Sequence, residues 1–60
     1  MASSKDVQKA LGGVTYPATR DELIDAAKKN GATDDVVDTI QNFSDRTYEN
    51  PADISSEMGQ

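Results

Sequence analysis

Glycine and proline punctuate this chain so closely that a long helix is closed to it. Gly12 and Gly13, Pro17, Gly31, Pro51 and Gly59 divide its 60 residues into short segments. Proline lacks the amide donor that a helix interior needs, and glycine readily takes the left-handed backbone that ends a helix. Helices between such breaks are about two to three turns long, too short for the seam of a parallel bundle. They must cross one another and share a small core.

Four amphipathic segments fit between the breaks. The first runs from Ser4 to Leu11, with Ser3 or Ser4 as its cap, because a serine oxygen accepts from the free amides of a first turn. Val7, Ala10 and Leu11 recur at the three- and four-residue spacing of one helix face. "VTYPAT" then connects. Pro17 pushes Tyr16 toward an extended backbone, and Val14 and Tyr16 are expected to lie across the core. In "TRDELIDAAKKNG", Thr19 and Glu22 have the spacing of a capping box. Leu23, Ile24 and Ala27 supply the apolar stripe, and Asn30 and Gly31 close the helix. Lys28 and Lys29 stand in the last turn, where the helix dipole favours cations.

The third segment starts on Thr33, with Asp34 and Asp35 in its first turn. Val36, Val37, Ile40 and Phe43 form its expected buried face, and their spacing is not the two of a strand. "NFSDRTYEN" reads as a polar turn anchored by Tyr48. In the last segment Asn50 caps, Pro51 takes the first helical position, Ile54 and Met58 face inward and Gly59 ends the helix. Thr15-Tyr16 and Thr47-Tyr48 each precede a proline and a new helix, which reads as similar turn chemistry rather than a duplication. The expected fold is all-α: a compact orthogonal bundle of four short helices with a central helix-turn-helix-like hairpin. It forms a single small helical domain over residues 1–60, with about 4–59 ordered.

Composition narrows the chemistry. A chain this short buries only about 60% of the surface its unfolded form exposes, so stability is marginal. There is no cysteine and no histidine. Disulfides, the usual zinc ligands and the neutral-pH proton shuttle are therefore missing. Asp34, Asp35 and Asp38 are close on one helix, but an EF-hand calcium loop needs alternating carboxylates, a central glycine and a terminal glutamate. Asp21, Glu22 and Asp25 likewise read as a solvated first turn. Gly12-Gly13 lacks the lysine and spacing of a phosphate loop. The expectation is no metal, no cofactor, no catalytic residue and no enzymatic activity. No apolar run approaches the ~20 residues of a membrane span. "MASSKDVQKALGG" has no signal-peptide core. A cytoplasmic location, without membrane contact, is expected.

The stretch "AAKKNGATDDVVDTI" carries the Ala27, Gly31, Val37 spacing of a DNA-reading helix-turn-helix. Its second helix would enter the major groove. That helix presents Asp34, Asp35 and Asp38, and Thr33 to Phe43 contains no lysine or arginine. Non-specific DNA affinity comes mainly from cations that neutralise phosphate. A net charge of −5 points the same way. The sequence therefore favours a protein partner with basic patches over direct nucleic-acid binding.

"VQKALGGVTYPAT", "DELIDAAKKNGA" and "DRTYENPADIS" together resemble the small bacterial domain of unknown function numbered 2795, from about Val7 to Ile54. The most specific residues are Tyr16-Pro17, Glu22-Leu23, Asn30-Gly31-Ala32, Asp45-Arg46, Tyr48 and Pro51-Ala52-Asp53. Ser44 stands where that family usually has proline, which leaves the turn less rigid. The resemblance implies a small helical domain, alone or attached to other modules, and implies no activity. Asp45, Arg46, Tyr48 and Asp53 form the expected interaction or structural cluster, tying the third loop to the last helix.

Two functions follow as expectations. The first is a non-catalytic, regulatory protein-interaction domain with an acidic face for an unidentified protein partner. The alternative is a nucleic-acid-associated regulator, acting through Lys5, Lys9, Arg20, Lys28 and Lys29 or by joining a basic partner. A gel-shift titration at low salt separates them: duplex DNA is expected to migrate unretarded, and salt-sensitive retardation would favour the alternative.

Overall fold

Each helix begins on a side chain that closes its free amides. The computed structural model describes residues 2–59. In it α1 spans Ser4–Ala10, β1 Ala18–Thr19, α2 Arg20–Lys29, α3 Asp34–Gln41, β2 Thr47–Tyr48 and α4 Pro51–Glu57. The Thr19–Glu22 box is present: the Glu22 amide donates to Thr19 Oγ1 at 3.3 Å, and the Thr19 amide to Glu22 Oε1 at 2.9 Å. A second box opens α1, where Ser3 and Asp6 satisfy each other's amides at 3.2 and 3.4 Å. Thr33 caps α3 by accepting from the Val36 amide, and Asn50 caps α4 by accepting from Asp53.

Helix ends are equally local. The Gly31 amide donates to the Lys28 carbonyl and the Ala32 amide to the Ala27 carbonyl, the paired bonds of a Schellman turn. Gly31 supplies the positive φ, 74°, that this turn requires. Asn30 adds a tether: its Nδ2 donates to the Ala10 carbonyl at 2.7 Å and to that of Gly12 at 3.1 Å. The end of α2 is thereby tied to the end of α1.

The connectors are not merely turns. β1 and β2 pair antiparallel, with Ala18 opposite Tyr48 and Thr19 opposite Thr47. The chain is therefore mostly helical, with a minimal sheet that apolar periodicity does not announce. Thr47-Tyr48 is a strand, and its partner is Ala18–Thr19 rather than the echoing Thr15-Tyr16.

The core gathers one stripe from every helix. Val7, Leu11, Leu23, Ala27, Val36, Ile40, Phe43, Tyr48 and Ile54 are buried, joined by Ala2 and Ala18. Val14, Tyr16, Ile24 and Met58 form its half-buried rim. Val37 departs from the expected face: it is half-buried and lies outside the packed cluster. Val36, Ile40 and Phe43 already fill the inward stripe, and one residue turns the helix by about 100°. Ala18 gains its burial from strand pairing beside Tyr48, not from a helix face. Among the described residues, no helix is long and apolar enough to cross a membrane.

Leu23 is fully buried, so Leu23→Ala is expected to lower the unfolding free energy by about 2–5 kcal/mol. Val37→Ala is expected to cost less than about 1 kcal/mol, since no packed cluster loses volume. Thermal melts of the two variants check the contrast.

Candidate functional site

The loop from α3 to β2 turns tightly, with the Arg46 amide donating to the Ser44 carbonyl at 2.9 Å. This turn places Arg46 beside α4. Its Nη2 lies 3.5 Å from Asp53 Oδ2 and its Nη1 lies 3.9 Å from Glu57 Oε2. The guanidinium also sits over the Tyr48 ring, 4.8 Å from the centroid, where the electron-rich face attracts a cation. Asp53 and Glu57 are four residues apart and so share one stripe of α4. Arg46 bridges two like charges that would otherwise repel. Its side chain is 43% exposed, so the ion pairs contribute little by themselves.

The stronger ties run through Ser44. Its amide donates to Glu57 Oε1 at 2.6 Å, and its carbonyl accepts from the Tyr48 hydroxyl at 2.6 Å. A proline at position 44 would have no amide to give. Asp53 Oδ2 also accepts from the Glu49 amide at 2.8 Å. Tyr48 is fully buried, and its ring meets Phe43 at 5.9 Å between centroids. From the other side, Arg20 Nη1 donates to the Phe43 carbonyl at 3.1 Å.

These contacts shift two ionisations. The Ser44 amide, then the Ser44 hydroxyl and the Arg46 charge, hold the Glu57 carboxyl below its ordinary 4.5, against an opposing effect of burial. Burial, and then the Glu57 charge, push the Tyr48 phenol up from its ordinary 10.0. The result is an anionic Glu57 and a neutral Tyr48 engaged with their neighbours.

Of the expected cluster, the structure brings Arg46, Tyr48 and Asp53 together. Asp45 stands exposed beside them, with no hydrogen bond or ion pair of its own among the described residues. Its charge reaches Tyr48 only as the weakest of the influences on the phenol. Sequence reasoning missed Glu57, Ser44 and Arg20. The Asp53-to-Glu57 spacing was a usable signal. Ser44 acts mainly through its main chain, which leaves no mark in a sequence.

Next to this clamp, residues of α3 and of the end of α4 line a groove of about 580 Å³. One wall is the α3 stripe of Asp35, Asp38, Thr39 and Asn42, at helical three- and four-residue spacing. Phe43, Met58 and Glu57 complete it. The Thr39 hydroxyl donates to the Asp35 carbonyl and Asn42 Nδ2 to that of Asp38, at 2.8 and 2.9 Å. These donors turn back onto their own helix. No lysine or arginine lines the groove. Among the described residues, no three acidic side chains gather as a metal ion would require.

Residues 2–55 match the model of a family described as a protein of unknown function, DUF2795. No curated protein and no solved structure matches the chain.

Glu57 holds its proton less tightly folded than unfolded. The stability it adds is full above the unfolded value and is lost as pH falls through the lower folded one. Glu57→Gln is expected to be less stable than the native chain at neutral pH. It is also expected to lose stability less steeply below about pH 4.5. Urea titrations across that range check this, and parallel curves would remove Glu57 from the acid response.

Proposed function

The chain belongs to the DUF2795 family, whose description assigns no activity, and from that premise we propose a non-catalytic protein-binding domain with a regulatory role. It presents an acidic surface to a protein partner. The observation that carries this reading is the placement of charge. No charged residue is buried among the described residues, so most of the excess of 11 acidic over 6 basic side chains faces solvent. It is most one-sided on α3, which has Asp34, Asp35 and Asp38 and no cation. Surface charge of one sign steers association toward partners of the other. The same helix is the one a helix-turn-helix reading would place against phosphate, and its charge opposes that contact. The lack of histidine and cysteine supports a non-catalytic role. A cysteine-free chain suits a reducing compartment, and the cytoplasm is part of the proposal.

The test is affinity capture on the immobilised full chain from an extract of its own cell. An unrelated protein of equal length and net charge serves as the control surface. A specific basic protein is expected on the first surface and not on the second, released by moderate salt. Identical retention on both surfaces would overturn the reading.

A further inference from the structure

Among the described residues, the grooves of this fold differ in charge, as three of them show. One lies between α1 and the α2–α3 turn, encloses about 450 Å³ and contains Lys9 with Asp6. Another follows α2, encloses about 370 Å³ and contains Lys29 beside Asp21, Glu22 and Asp25. Lys29 there is paired with Asp25 at 3.2 Å. The α3–α4 groove is the largest of these three and has acidic side chains without a basic one.

Helix ends deepen the difference. The C-terminal end of a helix carries a partial negative charge, which a lysine or arginine in the last turn offsets. α1 has Lys9 there, and α2 has Lys28 and Lys29. α3 and α4 have no basic residue in the last turn. Both ends reach the same groove, through Asn42 at the end of α3 and Met58 at the end of α4, and the cations near them, Arg20 on the Phe43 carbonyl and Arg46 on Glu57, approach from outside the lining. Asp38 adds an exposed full charge at its rim, and Glu57 adds one that Arg46 and the Ser44 amide partly offset. Arg46 approaches Glu57 but does not line the groove.

The floor is apolar. Phe43 is 5% exposed and Met58 is half-buried, so the two offer a shallow seat within the charged rim. Methionine adapts its shape to varied apolar partners. The wall from Asp35 to Asn42 is about 10 Å long, the length of two helical turns.

We propose that the α3–α4 groove receives a cationic amphipathic helix of a partner protein. An apolar side chain of that helix seats on Phe43 and Met58, and its lysine or arginine side chains face Asp38 and Glu57. This assignment rests on the protein-binding reading above and narrows it to one surface and one partner chemistry.

The experiment is a two-dimensional 15N–1H NMR titration of the full chain. The probe is a synthetic peptide of about 12 residues with leucine on one helix face and lysine elsewhere. Two controls accompany it: the same peptide with glutamate for lysine, and a scrambled peptide that keeps the charge but loses the apolar face. The lysine peptide is expected to shift the amides of Asp38, Asn42, Phe43 and Met58 and to bind more tightly than either control. Asp38→Lys, an exposed change, is expected to weaken binding about tenfold. The same reversal at Asp21, in a different groove, is expected to change it less than about twofold.

Shifts centred on α1 or α2, equal binding of the scrambled peptide, or an unchanged affinity of Asp38→Lys would each overturn the proposal. Peptide-free broadening of the same amides that grows with protein concentration would assign the groove to a second copy of the chain and also overturn it. The broader reading fails separately. If Asp38→Lys still captures the native chain's partner from extract, protein binding stands and the groove assignment falls.

Discussion

Helices of seven to ten residues do not persist alone in water, because the cost of starting a helix is recovered only over longer stretches. Every other feature of this fold answers that constraint. Each helix starts on a side chain that satisfies an otherwise free amide, and two starts are reciprocal boxes. Each helix contributes at least one fully buried or nearly buried apolar residue to a shared core. Asn30 ties two helix ends together through the main chain. The two-residue strands cross-link the connectors, so that the turns leading into α2 and α4 hold each other in place. In a domain this small, such local contacts weigh as heavily as burial.

The Arg46 region extends the same logic to the second half. Glu57 holds the Ser44 amide, Tyr48 holds the Ser44 carbonyl, and Arg46 joins Asp53 and Glu57 across the turn. Because Ser44 directly follows Phe43, this clamp sets how far the end of α3 stands from α4. The groove between those helices is thus shaped by polar contacts at one end rather than by helix-on-helix packing along its length. Its charge has a separate origin, in the acidic side chains that α3 and α4 contribute to its lining and the lack of a lysine or arginine among them. Shape and charge meet at Glu57, which belongs both to the clamp and to the groove rim.

Much of the fold was legible from residue order. The Thr19–Glu22 box, the Thr33 and Asn50 caps, Pro51 at a first helical position and Gly31 after α2 are local signals, and they appear where the spacing placed them. Leu23, Ala27, Ile40 and Ile54 were readable as core because a helix repeats its face every three or four residues. Val37 was misassigned because periodicity defines a face but not its width. Ala2 and Ala18 escaped notice because small residues carry little pattern and Ala18 belongs to no helix. In the candidate site, Arg46, Tyr48 and Asp53 were grouped through the residues that carry the family resemblance, and the fold brings these three side chains together. Asp45 was grouped with Arg46 only by adjacency, and the turn exposes it.

Residue order alone set where helices start and stop, which face of each turns inward and the sign of the surface charge. Those properties depend on neighbours within a turn or two, so order along the chain specifies them. Folding in three dimensions was needed to pair Ala18 with Tyr48, to bring the Ser44 main chain to Glu57 and Tyr48, and to open the ends of α3 and α4 onto one groove. These relations join residues distant in sequence or act through the backbone, where residue identity leaves no periodic trace.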